Sequence, residues 1–63
     1  MIAEDAIDLV INKLREIESN RSYLLSQGRA QDFGQYQYES GVISGIRMSI
    51  AELVDRRKSL VED

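Results

Sequence analysis

The sequence contains no cysteine, no histidine, no proline and no tryptophan. Without cysteine the chain has no disulfide to stiffen it, and without cysteine or histidine the usual structural zinc sites are excluded. The absence of cysteine also fits a reducing compartment. Without proline, glycine is the strongest helix-weakening residue available. Long hydrophobic runs are missing too. The longest purely apolar stretch is three residues, Leu9 to Ile11, against the roughly 20 that a membrane-crossing helix needs. The opening MIAEDAIDLV carries acids where a secretory leader would carry bases, so the expectation is a soluble chain that stays inside the cell. Positive charge is in the minority: eight Lys and Arg stand against eleven Asp and Glu, a net charge of −3. No overall field therefore draws the molecule to nucleic acid.

At 63 residues the chain is one domain at most, and a chain of that size buries only about 60% of the surface it exposes when unfolded. With disulfides and zinc excluded, association with another chain is the common device left for completing the core. Catalysis fares poorly in the same accounting. A catalytic site needs a nucleophile or an acid–base pair in a concavity, and here the candidates shrink to Ser, Tyr, Lys and carboxylates. Glu4, Asp5, Asp8, Glu16 and Glu18 fall mostly on faces read as solvated. The segment GRAQDFG lacks the spacing and the lysine of a phosphate-binding loop. The sequence thus points to no catalytic residue, no cofactor and no metal.

What is present is helical periodicity. Ile7, Val10, Leu14, Ile17, Arg21 and Leu24 recur at alternating steps of three and four, the spacing of a heptad seam. This predicts a helix over about 3–27. Gly28 suits the left-handed position that closes a helix, and Gly28-Arg29-Ala30-Gln31 supplies a turn, assigned to about 28–32. Asp32 with Gln35 forms a D-x-x-Q capping box, opening a second helix over about 33–61. Its seam reads Tyr36, Glu39, Ile43, Ile46, Ile50, Leu53, Arg57 and Leu60, thickened by Val54 and Val61.

Two long helices with a short connection predict an all-α antiparallel hairpin. Folding about residues 31 and 32 pairs positions whose numbers sum to 63 or 64, so Ile17 meets Ile46, Leu14 meets Ile50 and Val10 meets Leu53. The same register sets Glu4, Asp5 and Asp8 beside Arg56, Arg57 and Lys58, and Arg21 beside Glu39. Taken by itself, the basic cluster Arg56, Arg57 and Lys58 reads first as a helix end whose cations offset the macrodipole, and otherwise as a phosphate contact. One seam between two helices cannot enclose a core, so the hairpin is expected to oligomerise or to dock on a larger protein.

The segment YESGVISGIR places two glycines four apart inside the second helix, where each costs roughly 1 kcal/mol relative to Ala. On a helical projection Gly41, Gly45 and Met48 fall opposite the seam, with Ser44 on a flank. Small residues at this spacing let another helix approach closely; alternatively the glycines sit exposed, or mark a bend. Phe33, Tyr36 and Tyr38 lie at the turn, either as a plug on Leu24 and Leu25 or as an anchoring patch. The expected partner-binding set is therefore Phe33, Tyr36, Tyr38, Gly41, Ser44, Gly45 and Met48.

The stretch QDFGQYQYESGVISGIRMSIAELV resembles small helical-hairpin proteins encoded among the structural genes of tailed bacteriophages. The shared pattern is D-[FY]-x-x-[YF]-x-x-x-x-G-x-[IV]-x-G-[IL], matched here at Tyr36, Gly41, Ile43, Gly45 and Ile46, and it covers about half the chain. The resemblance implies a virion-associated or assembly role, docking on a portal, capsid or tail protein, with the host cytoplasm or the virion as its location. Two other classes stay open. One is a small regulator that binds and inhibits a host protein; the other is a dimeric RNA-binding hairpin, against which the scatter of Arg15, Arg29, Arg47 and Arg56 among more numerous acids speaks.

Overall fold

A computed structural model describes residues 2–28 and 30–62. Helix α1 spans Ala3–Ser26 and helix α2 spans Phe33–Glu62. Three cross-helix ion pairs, Asp8 with Arg57, Glu18 with Arg47 and Arg21 with Glu39, show that the helices run antiparallel. Their residue numbers sum to 65, 65 and 60, which brackets the expected register. The fold is an all-α helical hairpin.

Local chemistry accounts for the ends. At the start of α1 no side chain caps the helix; the carbonyl of Ile2 accepts from the amides of Asp5 and Ala6, and Glu4 and Asp5 place negative charge at the positive pole. At its end Gly28 has φ +76, the left-handed conformation, and its amide donates to the carbonyl of Leu25 at 3.1 Å. Arg29, expected within the turn, lies outside the described residues. Helix α2 opens on Asp32, whose carboxylate accepts from the amide of Gln35 at 2.7 Å. The reciprocal bond of the capping box shifts by one residue, because Gln35 Oε1 accepts from the amide of Gln31 at 2.7 Å.

The helices pack along a seam that differs from the expected one on α1. Ile11 and Ile43, at 4% and 5% exposure, are the buried hydrophobic residues. Ile7, Leu14, Ile17 and Leu25 flank Ile11 in half-buried positions, while Val10 and Leu24, both expected in the seam, are 48% and 42% exposed. The expected stripe of α1 is therefore rotated by about 60° from the one that packs, given about 100° per residue. Polar pairing explains the rotation: Asp8 and Glu18 turn inward to meet Arg57 and Arg47, and Ile11 follows them. On α2 the stripe Ile43, Ile46, Ile50, Leu53 and Arg57 does face α1, but Tyr36, Val54, Leu60 and Val61 at its margins are exposed.

The hairpin is long and thin, with extents of 47 × 16 × 12 Å and a radius of gyration of 14.5 Å. A compact domain of this length would have a radius near 11 Å. Its accessible surface is 4885 Å², where the scaling for compact monomers gives about 4,100 Å². The excess follows from the elongated shape, in which a single seam covers one side of each helix.

Candidate docking surfaces

Helix α2 turns an outward strip away from α1. Met48 is 73% exposed at its centre, with Gly41, Ser44 and Gly45 exposed around it. A Cβ added at Gly41 or Gly45 would meet nothing within 4 Å. Neither glycine is required by packing inside this chain, and neither has a positive φ. Ser49 Oγ donates to the carbonyl of Gly45 at 2.9 Å, so a further side chain here bonds the helix backbone.

The aromatic residues do not form one patch. Phe33 and Tyr38 are strongly exposed, and on α2 they point about 140° apart, given about 100° per residue. Tyr36 turns toward the groove between the helices, where it lines a concavity with Leu25 and Ile43. The plug on Leu24 and Leu25 is not made: Leu24 stays exposed and only Tyr36 reaches Leu25's groove. Of the seven expected residues, the structure places Gly41, Gly45 and Met48 on the outward strip and Phe33 and Tyr38 on opposite flanks of it, while Ser44 at its edge lines the same concavity as Tyr36.

Two open grooves mark the two broad faces of the hairpin near its closed end. One, about 500 Å³, is lined by Ile17, Leu24, Leu25 and Ala30 with Asn20, Arg21, Gln35 and Glu39. The other, about 330 Å³, is lined by Ser22, Ser26, Ser40 and Ser44 with Tyr36 and Arg47. These linings fix which flank of each helix belongs to which face.

The second face is the ionic one. Glu18 Oε1 accepts from Arg47 Nε at 2.7 Å, lies 2.7 Å from Arg47 Nη2, and accepts from Ser22 Oγ at 3.1 Å. The Arg47 bond first, and the Ser22 bond second, hold the Glu18 carboxyl below its ordinary value of 4.5. At the open end Arg57 grips Asp8 through both nitrogens of a fork, with Nη2 donating to Oδ2 at 3.2 Å. That bond, with the charges of Asp8, Glu4 and Asp5, raises the guanidinium further above its already high value. The basic cluster consequently does not act as a helix-end cap: no basic residue occupies the last turn of α2, and Arg56 pairs with Glu52 at 3.1 Å.

The first face is apolar. Val10, Ile17 and Leu24 from α1 lie on it beside Ile46, Leu53 and Leu60 from α2, by the helical projection and the groove lining. Its carboxylate is Glu39, which accepts from Arg21 at 3.1 Å; the other described acids project to the ionic face or the outer edges. The spacing of seven between 10, 17 and 24, and between 46, 53 and 60, was the signal for this face. Period alone does not separate this face from the seam, because half-buried and exposed apolar stripes share it. The Glu18, Ser22 and Arg47 cluster had no such signal, since its members are 29 residues apart at the extremes.

Among the described residues no group of three or more acidic, His or Cys side chains is placed to hold a metal ion, and no helix is long and apolar enough to cross a membrane. No family model, curated protein or solved structure matches the chain.

Proposed function

We propose that this chain is a non-enzymatic helical interaction protein, and in its most specific form a bacteriophage virion-associated structural or assembly component that docks on a portal, capsid or tail protein. The observation that carries the interaction reading is the outward strip of α2. Two glycines there weaken the helix by roughly 1 kcal/mol each, yet nothing in the chain approaches them. A partner helix that seats against Gly41 and Gly45, with Met48, Ser44 and the exposed Phe33 and Tyr38 around the contact, supplies the missing reason. The viral assignment rests on the resemblance of residues 31–54 to small phage structural-region proteins. Supporting a non-catalytic role, no described polar side chain is buried, and the carboxylate with a lowered pKa, Glu18, is held ionised by Arg47 rather than poised to give up a proton.

Purified phage particles give the test. The chain is expected at a fixed stoichiometry in them, and Gly45→Leu is expected to abolish its incorporation while the circular dichroism of the isolated protein keeps its helix content. Normal incorporation of the Leu variant would remove the outward strip as the docking surface. Absence of the wild-type chain from particles would remove the virion role.

A further inference from the structure

We propose that the apolar broad face is the contact between two copies of this chain, which pair through it into a four-helix bundle. This deepens the interaction reading above and rests on it, while using a different surface from the outward strip.

Each helix carries two apolar stripes. One packs inside the hairpin around Ile11 and Ile43; along its edge Val10, Ile17 and Leu24 on α1 and Ile46, Leu53 and Leu60 on α2 repeat every seven residues, with Ile17, Ile46 and Leu53 half-buried against the seam and Val10, Leu24 and Leu60 exposed. In the hairpin's register Val10 stands level with Leu53, and Ile17 with Ile46, so the second stripes form common levels across the face. A helix in a four-helix bundle touches two neighbours and needs two such stripes, whereas a helix in an isolated hairpin needs one. Val10, Leu24 and Leu60 are each exposed by more than two-fifths in the single chain, so the second stripe is unfilled there.

Charge permits a second copy as the occupant. The ionic groups on and around this face are matched within the chain: Arg21 with Glu39 at 3.1 Å, Lys13 with Glu16 at 3.7 Å, and Arg56 with Glu52 at 3.1 Å. Two identical faces therefore meet without like-charge repulsion. The size also fits. The hairpin's outline on this side, 47 by 16 Å, bounds a footprint of roughly 750 Å², so a contact that used most of it would approach the about 800 Å² per partner of a standard stable interface. At the closed end the groove of about 500 Å³ beside Ile17, Leu24 and Leu25 leaves room for side chains of the facing copy.

Sedimentation equilibrium on the full chain, from about 1 to about 200 µM, tests the pairing. The wild-type protein is expected at twice its 7.2 kDa chain mass over most of that range. Val10→Glu and Leu60→Glu each set a charge into the proposed contact at a position half exposed in the hairpin, and each is expected to raise the dissociation constant at least about tenfold. Asn12→Glu, on an exposed position of α1 that projects away from the face, is expected to keep the wild-type mass. A single-chain mass for the wild type at every concentration would overturn self-pairing and leave the outward strip to stand or fall by Gly45→Leu in particles. Unchanged mass in both Val10→Glu and Leu60→Glu, or dissociation by Asn12→Glu, would overturn the choice of face.

Discussion

At the scale of single residues, Gly28 and Gly45 ask for opposite things. Gly28 is in the left-handed region, which a residue with a Cβ enters at a cost of roughly 1 kcal/mol; Gly28→Ala is therefore expected to lower the hairpin's stability by about that amount. Gly45 is helical with open space around it, so Gly45→Ala removes backbone entropy from the unfolded chain and is expected to add about 0.5–1 kcal/mol. Urea midpoints of the two variants measure both, at a protein concentration held constant. A loss of stability in Gly45→Ala at concentrations where the chain is a single copy would show that something within the hairpin needs that glycine. These residue-scale features were the most legible in the sequence. Gly28 and Asp32 act through backbone groups a few positions away, so their neighbours in sequence are their neighbours in space. Gln35 is a capping partner, as its spacing predicts, but its side chain accepts from the amide of Gln31 instead of that of Asp32.

At the scale of the helices, α2 was legible and α1 was half so. The stripe of α2 from Ile43 to Arg57 packs as its period indicates, and the opposite side carries Gly41, Gly45 and Met48. Helix α1 has two apolar stripes about 85° apart, one through Val10, Ile17 and Leu24 and one through Ile7, Ile11, Leu14 and Leu25. Hydrophobic spacing does not rank them. Ion pairs do, and those join residues too far apart in sequence to show a pattern: Asp8 and Arg57 are 49 apart, Glu18 and Arg47 are 29 apart. If these pairs set the rotation of α1, exchanging the charges should restore what single reversals lose. Asp8→Arg is expected to lower the melting temperature, and Asp8→Arg with Arg57→Asp to recover most of it. A double variant no more stable than the single one would assign the rotation to apolar packing alone. Glu18 adds a pH dependence. Its folded pKa lies below 4.5, so the folded form holds its charge more tightly than the unfolded form does. The resulting stability is complete above the unfolded value and fades as pH falls through the lower folded value. Melting temperatures between about pH 6 and about pH 3 should therefore fall less steeply for Glu18→Gln than for the wild type; equal slopes would mean that the Arg47 contact contributes nothing in solution.

At the scale of the whole molecule, the surface area and radius describe a structure whose seam is finished and whose exterior is not. That incompleteness was legible from length alone, since no disulfide or zinc site was available to offset a small core. Which side was incomplete was not, because it follows from the rotation of α1. A chain that completes itself by association gains stability from mass action, so its melting temperature should rise across a roughly hundredfold increase in concentration. A constant melting temperature at full helix content would describe a self-sufficient hairpin. The placement of acids carries a last consequence, for where assembly stops. Apart from Glu39, neutralised by Arg21, the described carboxylates project to the ionic face and the outer edges. Two chains joined by their apolar faces would turn those carboxylates outward on both sides, Asp8, Glu18 and Glu52 among them already paired with Arg57, Arg47 and Arg56, so the pair would offer a third chain ion-paired surface instead of another apolar face of the same kind. On the proposed pairing, that ionic exterior would end assembly at a closed pair instead of an open-ended fibre.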